Sequence, residues 1–317
     1  NMLEFKLREA KLDDTFEIVS CNIDDVEKWR HFDQMKFLDE TSWDELTPFE
    51  RYMHGGPWLD PQTFRIHFET VKEANGGIII AEYNDKVIGE LDYVVDSDDE
   101  SIYMSILWLL TRPKYRRKGV ATALMKHVIS KAKELGCEKI FIEPEDVRSL
   151  NLYCKLGFRR LYDLLKVDIQ SIPKLKLEVN AEVTVRNWDD TPPSDFREVI
   201  GLYYTPKYEW IALKRMKELS KIFQNSLWET YAYNVIIDDK NCGIFTDSRL
   251  IKIWVNKINV NNTHLISELL KLSVLKGRER KRKILWTWLK EDQYNELTRI
   301  GFGLKLTSKS QLMCLAL

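Results

Sequence analysis

Residues 102–110 are almost all apolar or aromatic, a run of strand length that Pro113 ends, and from Gly119 the apolar positions recur at three- and four-residue steps instead. Val120, Leu124 and Val128 make one row, and Ala121, Met125, Ala132 and Leu135 the row beside it. One face of a helix is therefore core, and Gly136 is placed to close it with a left-handed cap. Upstream, residues 76–83 and 87–95 are β-branched runs on either side of Asn84-Asp85-Lys86, which predicts a hairpin. Residues 3–7 predict a first strand and 13–26 the first helix. The aromatic and acidic stretch 27–74 predicts helices and loops. After the long helix come a strand at 139–143, a short helix at 146–156 closed by Gly157-Phe158, and two short strands near 159–161 and 164–169.

The second half restates this order. Residues 183–186 predict a strand, 195–223 a helical region, and 231–237, 243–246 and 250–258 three strands. A helix at 263–275, a strand at 284–289 and a helix at 293–300 follow. Leu297 to Gly301-Phe302 aligns with Tyr153 to Gly157-Phe158, so the plan is duplicated. A chain of 317 residues suits two domains of ordinary size, and the Pro173-containing, lysine-alternating segment 171–179 reads as their linker. The domains are set at 2–172 and 178–317. Asn1, before Met2, reads as an expression remnant.

Charge sharpens the division. Residues 1–170 hold 24 Lys and Arg against 32 Asp and Glu, and the remainder 24 against 17, so the halves carry opposite net charges that favour docking. No apolar run has membrane length and no leader pattern is visible, which predicts a cytoplasmic protein without a membrane partner. Five scattered cysteines argue against disulfides and zinc, and Cys154 is read as packing. The five histidines lack metal spacing. Lys276 to Lys283 is read as a solvated turn and not as a nucleic-acid site.

The chemistry concentrates at the helix entry, Arg116-Arg117-Lys118-Gly119-Val120-Ala121-Thr122. Small residues at 119 and 121 let a ligand approach the backbone, where first-turn N–H groups point outward with the positive helix end behind them. With three cations in a row, such a turn suits a pyrophosphate. Arg116-x-x-Gly119-x-Ala121, followed by the short helix with Ser149, Tyr153 and Gly157-Phe158, resembles the two signatures of the GNAT superfamily of N-acetyltransferases over about residues 2–170. The resemblance implies an α/β acyl-CoA N-acyltransferase fold, a mixed, mostly antiparallel central sheet flanked by helices, here in two tandem copies.

It also implies acetyl-CoA as co-substrate. The backbone of Leu109, Leu110 and Thr111 would pair with the pantetheine arm, Arg116 to Thr122 would hold the pyrophosphate, and Ser149 and Tyr153 would complete the site. Tyr153 is the expected acid for the departing thiolate. The central-strand glutamate common in the family is missing from residues 105–110. Glu143, among Ile140, Phe141, Ile142 and Pro144, reads either as a base raised by desolvation or as a strand-end cap, with Glu90 and Asp92 in reserve. Asp146 stands where the family often has asparagine, and a carboxylate cannot donate that hydrogen bond. In the second copy Leu297 replaces the tyrosine and Val260-Asn261-Asn262-Thr263-His264 the cationic turn, so cofactor binding is expected to be lost there.

The expected reaction is acetyl transfer to a primary amine by direct attack in a ternary complex. The acidic and aromatic stretch, with Asp33, Asp39, Glu40, Asp44, Glu45 and Glu50 among Trp29, Trp43 and Trp58, reads as an acceptor wall or as an ordinary aromatic core. Two other readings stand beside it: a CoA-binding sensor without turnover, and a tandem acyltransferase acting on a larger conjugate, as mycothiol synthase does. The acceptor's identity and the oligomeric state are open at this level.

Overall fold

β-Branched and aromatic runs form strands here because helices cover both sheet faces, leaving little polar alternation. The computed structural model describes residues 3–33, 36–98, 100–173, 180–185, 195–201, 205–225, 230–247, 250–280 and 285–317. β1 (Lys6–Glu9) leads through a 3-10 turn to α1 (Thr15–Ile23). A separate hairpin of β2 (Trp29–Asp33) and β3 (Lys36–Thr41) follows, then α2 (Pro48–Gly55) and α3 (Pro61–Glu73). β4 (Gly77–Tyr83), β5 (Lys86–Ser97) and β6 (Ile102–Thr111) form a meander, with Asn84 and Asp85 at φ 50° and 58° in the predicted turn. α4 (Val120–Glu134), β7 (Lys139–Ile142), α5 (Val147–Lys155) and β8 (Arg159–Ser171) complete the first half.

The second half comprises β9 (Ala181–Val185), β10 (Phe196–Ile200), α6 (Pro206–Lys214), α7 (Met216–Phe223), β11 (Thr230–Ile237), β12 (Lys240–Asp247) and β13 (Leu250–Asn256). α8 (Thr263–Glu279), β14 (Leu285–Lys290), α9 (Glu291–Arg299) and β15 (Gly303–Ala316) end it. The duplication is visible in hydrogen bonds. Gly157 and Gly301 cap α5 and α9 at φ 94° and 102°, and Phe158 N–H to Tyr153 O and Phe302 N–H to Leu297 O both measure 3.0 Å.

Three expectations are corrected and one strand is added to them. Residues 29–41 form a hairpin, although helices and loops were expected there. The region 195–223 opens with a strand, β10, before its two helices. Residues 159–171 make one long strand where two short ones were expected, and a long strand follows Phe302. The putting-together of the halves explains the last two. All the strands except the small hairpin form one sheet in the order β1-β4-β5-β6-β7-β15-β8-β14-β13-β12-β11-β9, with β10 attached to β13. β15 lies between β7 and β8, and β8 between β15 and β14, so each half is closed by the other's last strand. Long shared strands satisfy backbone groups that two separate sheets would leave on open edges. The linker segment 174–179 and residues 281–284 of the basic cluster lie outside the described residues.

Helices from both halves complete the seam. α4 covers one face over Ile79, Leu91, Met104 and Ile140, while α1 and α3 cover the other with Ile18, Phe64, Val71, Ile80 and Leu110, joined by Ile211 from α6. Phe32, Phe49 and Ile66 pack on Met216, Leu219 and Phe223 of α7. Arg215 bonds Glu69 at 2.9 Å and Glu73 at 3.0 Å, in line with the opposite charges of the halves. Such exposed pairs contribute at most about 1 kcal/mol each, so the apolar seam and the shared strands dominate.

Candidate active site

β6 and β7 run parallel and pair only at Tyr103, Met104 and Ser105 with Lys139, Ile140 and Phe141. Beyond this they diverge. The register of β6 on β5 shifts between Ile106 and Trp108, leaving Leu107 as a bulge that bends the strand away. Arg112 N–H bonds Ile88 O at 2.9 Å, and by the antiparallel alternation Leu110 also turns its backbone to β5 while Leu109 and Thr111 turn theirs to the open side. Of the three residues expected to pair with a ligand, Leu110 is therefore already used. The Thr111 carbonyl accepts from Arg116 Nε at 3.2 Å, on that same open side.

The V leads to the start of α4. Gly119 is its N-cap at φ 87°, with no side-chain cap, and Arg117 is left-handed at φ 60°. A Cβ on Gly119 would meet nothing within 4 Å, so the turn is open toward whatever lies outside it. The first N–H satisfied in this helix is that of Ala123, to Gly119 O at 2.9 Å; among the described residues those of 117–122 bond nothing. Six successive free N–H groups at a helix start form an anion cradle. Arg117 and Lys118 are exposed beside it. Arg116 is not available in the same way, because its guanidinium pairs with Asp25, just after α1.

Tyr153 of α5 is 4 % exposed and packs against Phe158. Its hydroxyl bonds nothing among the described residues, and burial with the nearby charges of Glu145 and Asp146 holds its pKa well above the ordinary phenol value. It stays a proton donor. Glu143 is half-buried and has partners of its own, so it is neither isolated nor enclosed by the apolar residues around it. Asp146 caps α5, accepting from Ser149 N–H at 2.8 Å, and Ser149 Oγ returns to the Asp146 backbone, so both side chains serve the helix start. Cys154 is exposed and does not pack, since a helix turns successive residues through about 100°.

The buried polar groups lie elsewhere. Glu90 and Asp92, two apart on one face of β5, are each 0 % exposed. Asp92 Oδ2 accepts from Trp58 Nε1 at 2.8 Å and lies 2.7 Å from His67 Nε2, and His67 Nδ1 lies 2.8 Å from the hydroxyl of Tyr208 on α6. Asn22 donates to Glu90 Oε2 at 2.6 Å and accepts from Trp108 Nε1 at 2.9 Å. Burial, then the Asp92 charge, raises the Glu90 pKa well above the usual carboxylate value. The sequence marks this pair only as polar residues inside a run buried on both faces. The remaining aromatic stretch is mostly core, with Phe64 wholly buried and Phe32 and Phe49 in the seam, while Glu40 pairs with Lys28 and Glu50 with His31.

The second V has a different fate. β13 meets β14 at Leu250 and Trp286 only, but β12 holds its other edge, so β10 pairs along the edge that faces the opening. Gly201 N–H bonds Trp288 O of β14 at 3.3 Å and Gln293 Nε2 bonds Val199 O at 2.6 Å, which ties β10 to both walls. At the start of α8, Asn262 Oδ1 accepts from Leu265 N–H at 3.0 Å. The chain's own strand and cap occupy the positions that are open in the first V. A cavity of about 660 Å³ remains beside them, lined by Glu198 and Val199 of β10, by Asn261 and Thr263 at the start of α8, and by Lys290 and Leu297 among others.

A diverging parallel strand pair leading to an uncapped, left-handed helix start defines an acyl-CoA N-acyltransferase type of fold. Residues 37–158 match the model of the acetyltransferase (GNAT) family. Among solved structures, the chain is similar to a GCN5-related N-acetyltransferase of Anabaena variabilis, at 14 % identity and TM-score 0.59 over 98 % of this chain and 72 % of that one. It is also similar to a presumed acetyltransferase of Pyrococcus horikoshii, at 14 % and 0.57 over 99 % and 89 %. A GCN5-related N-acetyltransferase of Kribbella flavida gives 11 % and 0.52 over 99 % and 72 %. At these identities the likeness is one of fold, and it extends over both halves. No helix among the described residues is long and apolar enough to cross a membrane.

Proposed function

We propose that the chain is an acetyl-CoA-dependent N-acetyltransferase that passes the acetyl group to a primary amine by direct attack in a ternary complex. The observation that carries this reading is the first V itself, where an unpaired strand edge leads to the free N–H groups of residues 117–122. Leu109 and Thr111 would pair with the pantetheine arm as with an added strand, and an N–H there would polarise the thioester carbonyl. The N–H cradle from Arg117 to Thr122, with Gly119 and Ala121 admitting close approach, would hold the pyrophosphate, with Lys118 and Arg117 beside it. Arg116, whose N–H bonds Pro113 O and whose guanidinium bonds Thr111 O and Asp25, would position the turn, and Ser149 would act through the cap of α5. Acetyl-CoA, when bound, supplies the activated acetyl group.

The residues of this chain handle the protons. An alkylammonium with a pKa near 10.4 must lose a proton before it attacks, and the displaced thiol has a pKa of about 8.5. Glu143, partly open to solvent at the end of β7, is assigned as the base, and Tyr153, held protonated, as the acid for the leaving sulfur. Residues 2–172 are assigned as the catalytic domain and 178–317 as a degenerate copy whose V is filled by β10. Initial rates measured as thiol release, with acetyl-CoA and a panel of primary amines both varied, test the reaction. Intersecting double-reciprocal lines are expected; parallel lines would indicate a covalent acyl-enzyme and overturn the direct-attack mechanism.

A further inference from the structure

The reading above leaves open what selects the acceptor. Trp58 and Trp108 stack at 4.3 Å with their planes 16° apart, both half-buried, and Trp108 immediately precedes Leu109 on the strand edge that opens into the V. Behind this pair sits the network of Glu90 and Asp92. Glu90 Oε1 and Asp92 Oδ1 are both buried without a hydrogen-bond partner. Two neighbouring buried carboxylates repel one another as anions, and one proton held between these atoms satisfies both. His67 bridges the two elements, its Nδ1 lying 2.8 Å from the Tyr208 hydroxyl and its Nε2 2.7 Å from Asp92 Oδ2, so Tyr208 fixes the ring that holds Asp92.

Every bond to these two carboxylates comes from an amide, an indole or an imidazole, and no Lys or Arg among the described residues donates to Glu90 or Asp92. The field of a buried carboxylate is weakly screened and extends through the indoles in front of it. A cation on the outer face of the indole pair gains from both the π-system and this charge.

We propose that Asp92, positioned by His67 and Tyr208, makes the Trp58–Trp108 pair a receptor for the ammonium group of a cationic alkylamine acceptor. Tyr208 lies on α6, so the second half takes part in choosing the substrate of the first. Asp92 and Tyr208 are positioning residues here, and the proposal rests on the acetyl-transfer reading for its biological meaning. The test is a calorimetric titration of the full chain, saturated with CoA, with n-butylamine, which is protonated at neutral pH, and with 2,2,2-trifluoroethylamine, which is neutral there. The wild type is expected to bind the cationic amine about tenfold more tightly. Asp92→Asn should remove this preference and Tyr208→Phe should reduce it several-fold, both with unchanged CoA affinity. If Asp92→Asn fails to fold, Tyr208→Phe, which lacks one hydroxyl, decides alone. An equal preference in the folded variants overturns the receptor. Preference without turnover of n-butylamine supports the receptor and refutes acetyl transfer, whereas turnover without preference refutes the receptor alone.

Discussion

Removal of residues 303–317 is expected to unfold the first half as well as the second. β15 pairs with β8 from Gly303 to Cys314 and with β7 from Met313 to Ala316, so its loss opens a gap in the middle of the sheet. Leu312 and Met313 are each 1 % exposed, and burying such a side chain contributes about 1.5–3 kcal/mol. Those two side chains and two ladders of backbone bonds together rival the 5–15 kcal/mol that typically holds a domain folded. Circular dichroism and thermal unfolding of the shortened chain should show no cooperative transition. A folded, acetyl-CoA-binding product would contradict the exchange. For the same reason a cut near residue 175 does not isolate the first half, since it discards the strand that closes it.

Tyr153→Phe is expected to lower turnover by about 10²- to 10⁴-fold while leaving acetyl-CoA affinity and stability nearly unchanged. The hydroxyl bonds nothing among the described residues, so its removal leaves no partner unsatisfied, and the ring keeps its contact with Phe158. Because the phenol's pKa is raised, wild-type turnover should not fall through Tyr153 ionisation below the ordinary phenol value near 10. Single-turnover rates on both proteins decide the matter. A rate like that of the wild type would remove Tyr153 from the mechanism.

What could be read in the sequence depended on whether the signal was local. The 102–135 strand, turn and helix were legible because periodicity, Pro113 and Gly119 act within a few residues. The second copy was legible through Leu297 and Gly301-Phe302. β15 was not, because its middle, Lys305 to Lys309, is exposed and, except for Leu306, polar, and its place is fixed by strands more than a hundred residues away. β10 was read as helical because five residues carry little periodicity, and what makes them a strand is the open edge of β13. Glu90 and Asp92 looked like hairpin polar positions; only the arrival of Asn22, Trp58, His67 and Tyr208 from four other segments makes them a buried network. Arg116 was read from its motif position, yet Asp25, in the turn after α1, claims its side chain.

The filled second V and the open first V together predict one acetyl-CoA per chain. The measurement that tests this most directly is a calorimetric titration of the wild type and Gly119→Asp with acetyl-CoA. At φ 87° with no neighbour within 4 Å of the added Cβ, aspartate costs about 1–2 kcal/mol of backbone strain and leaves the fold standing, but it places a carboxylate at the phosphate cradle. The account predicts a single site in the wild type, lost in Gly119→Asp at unchanged secondary structure. No binding by the wild type, two sites per chain, or unchanged affinity in the variant would contradict it.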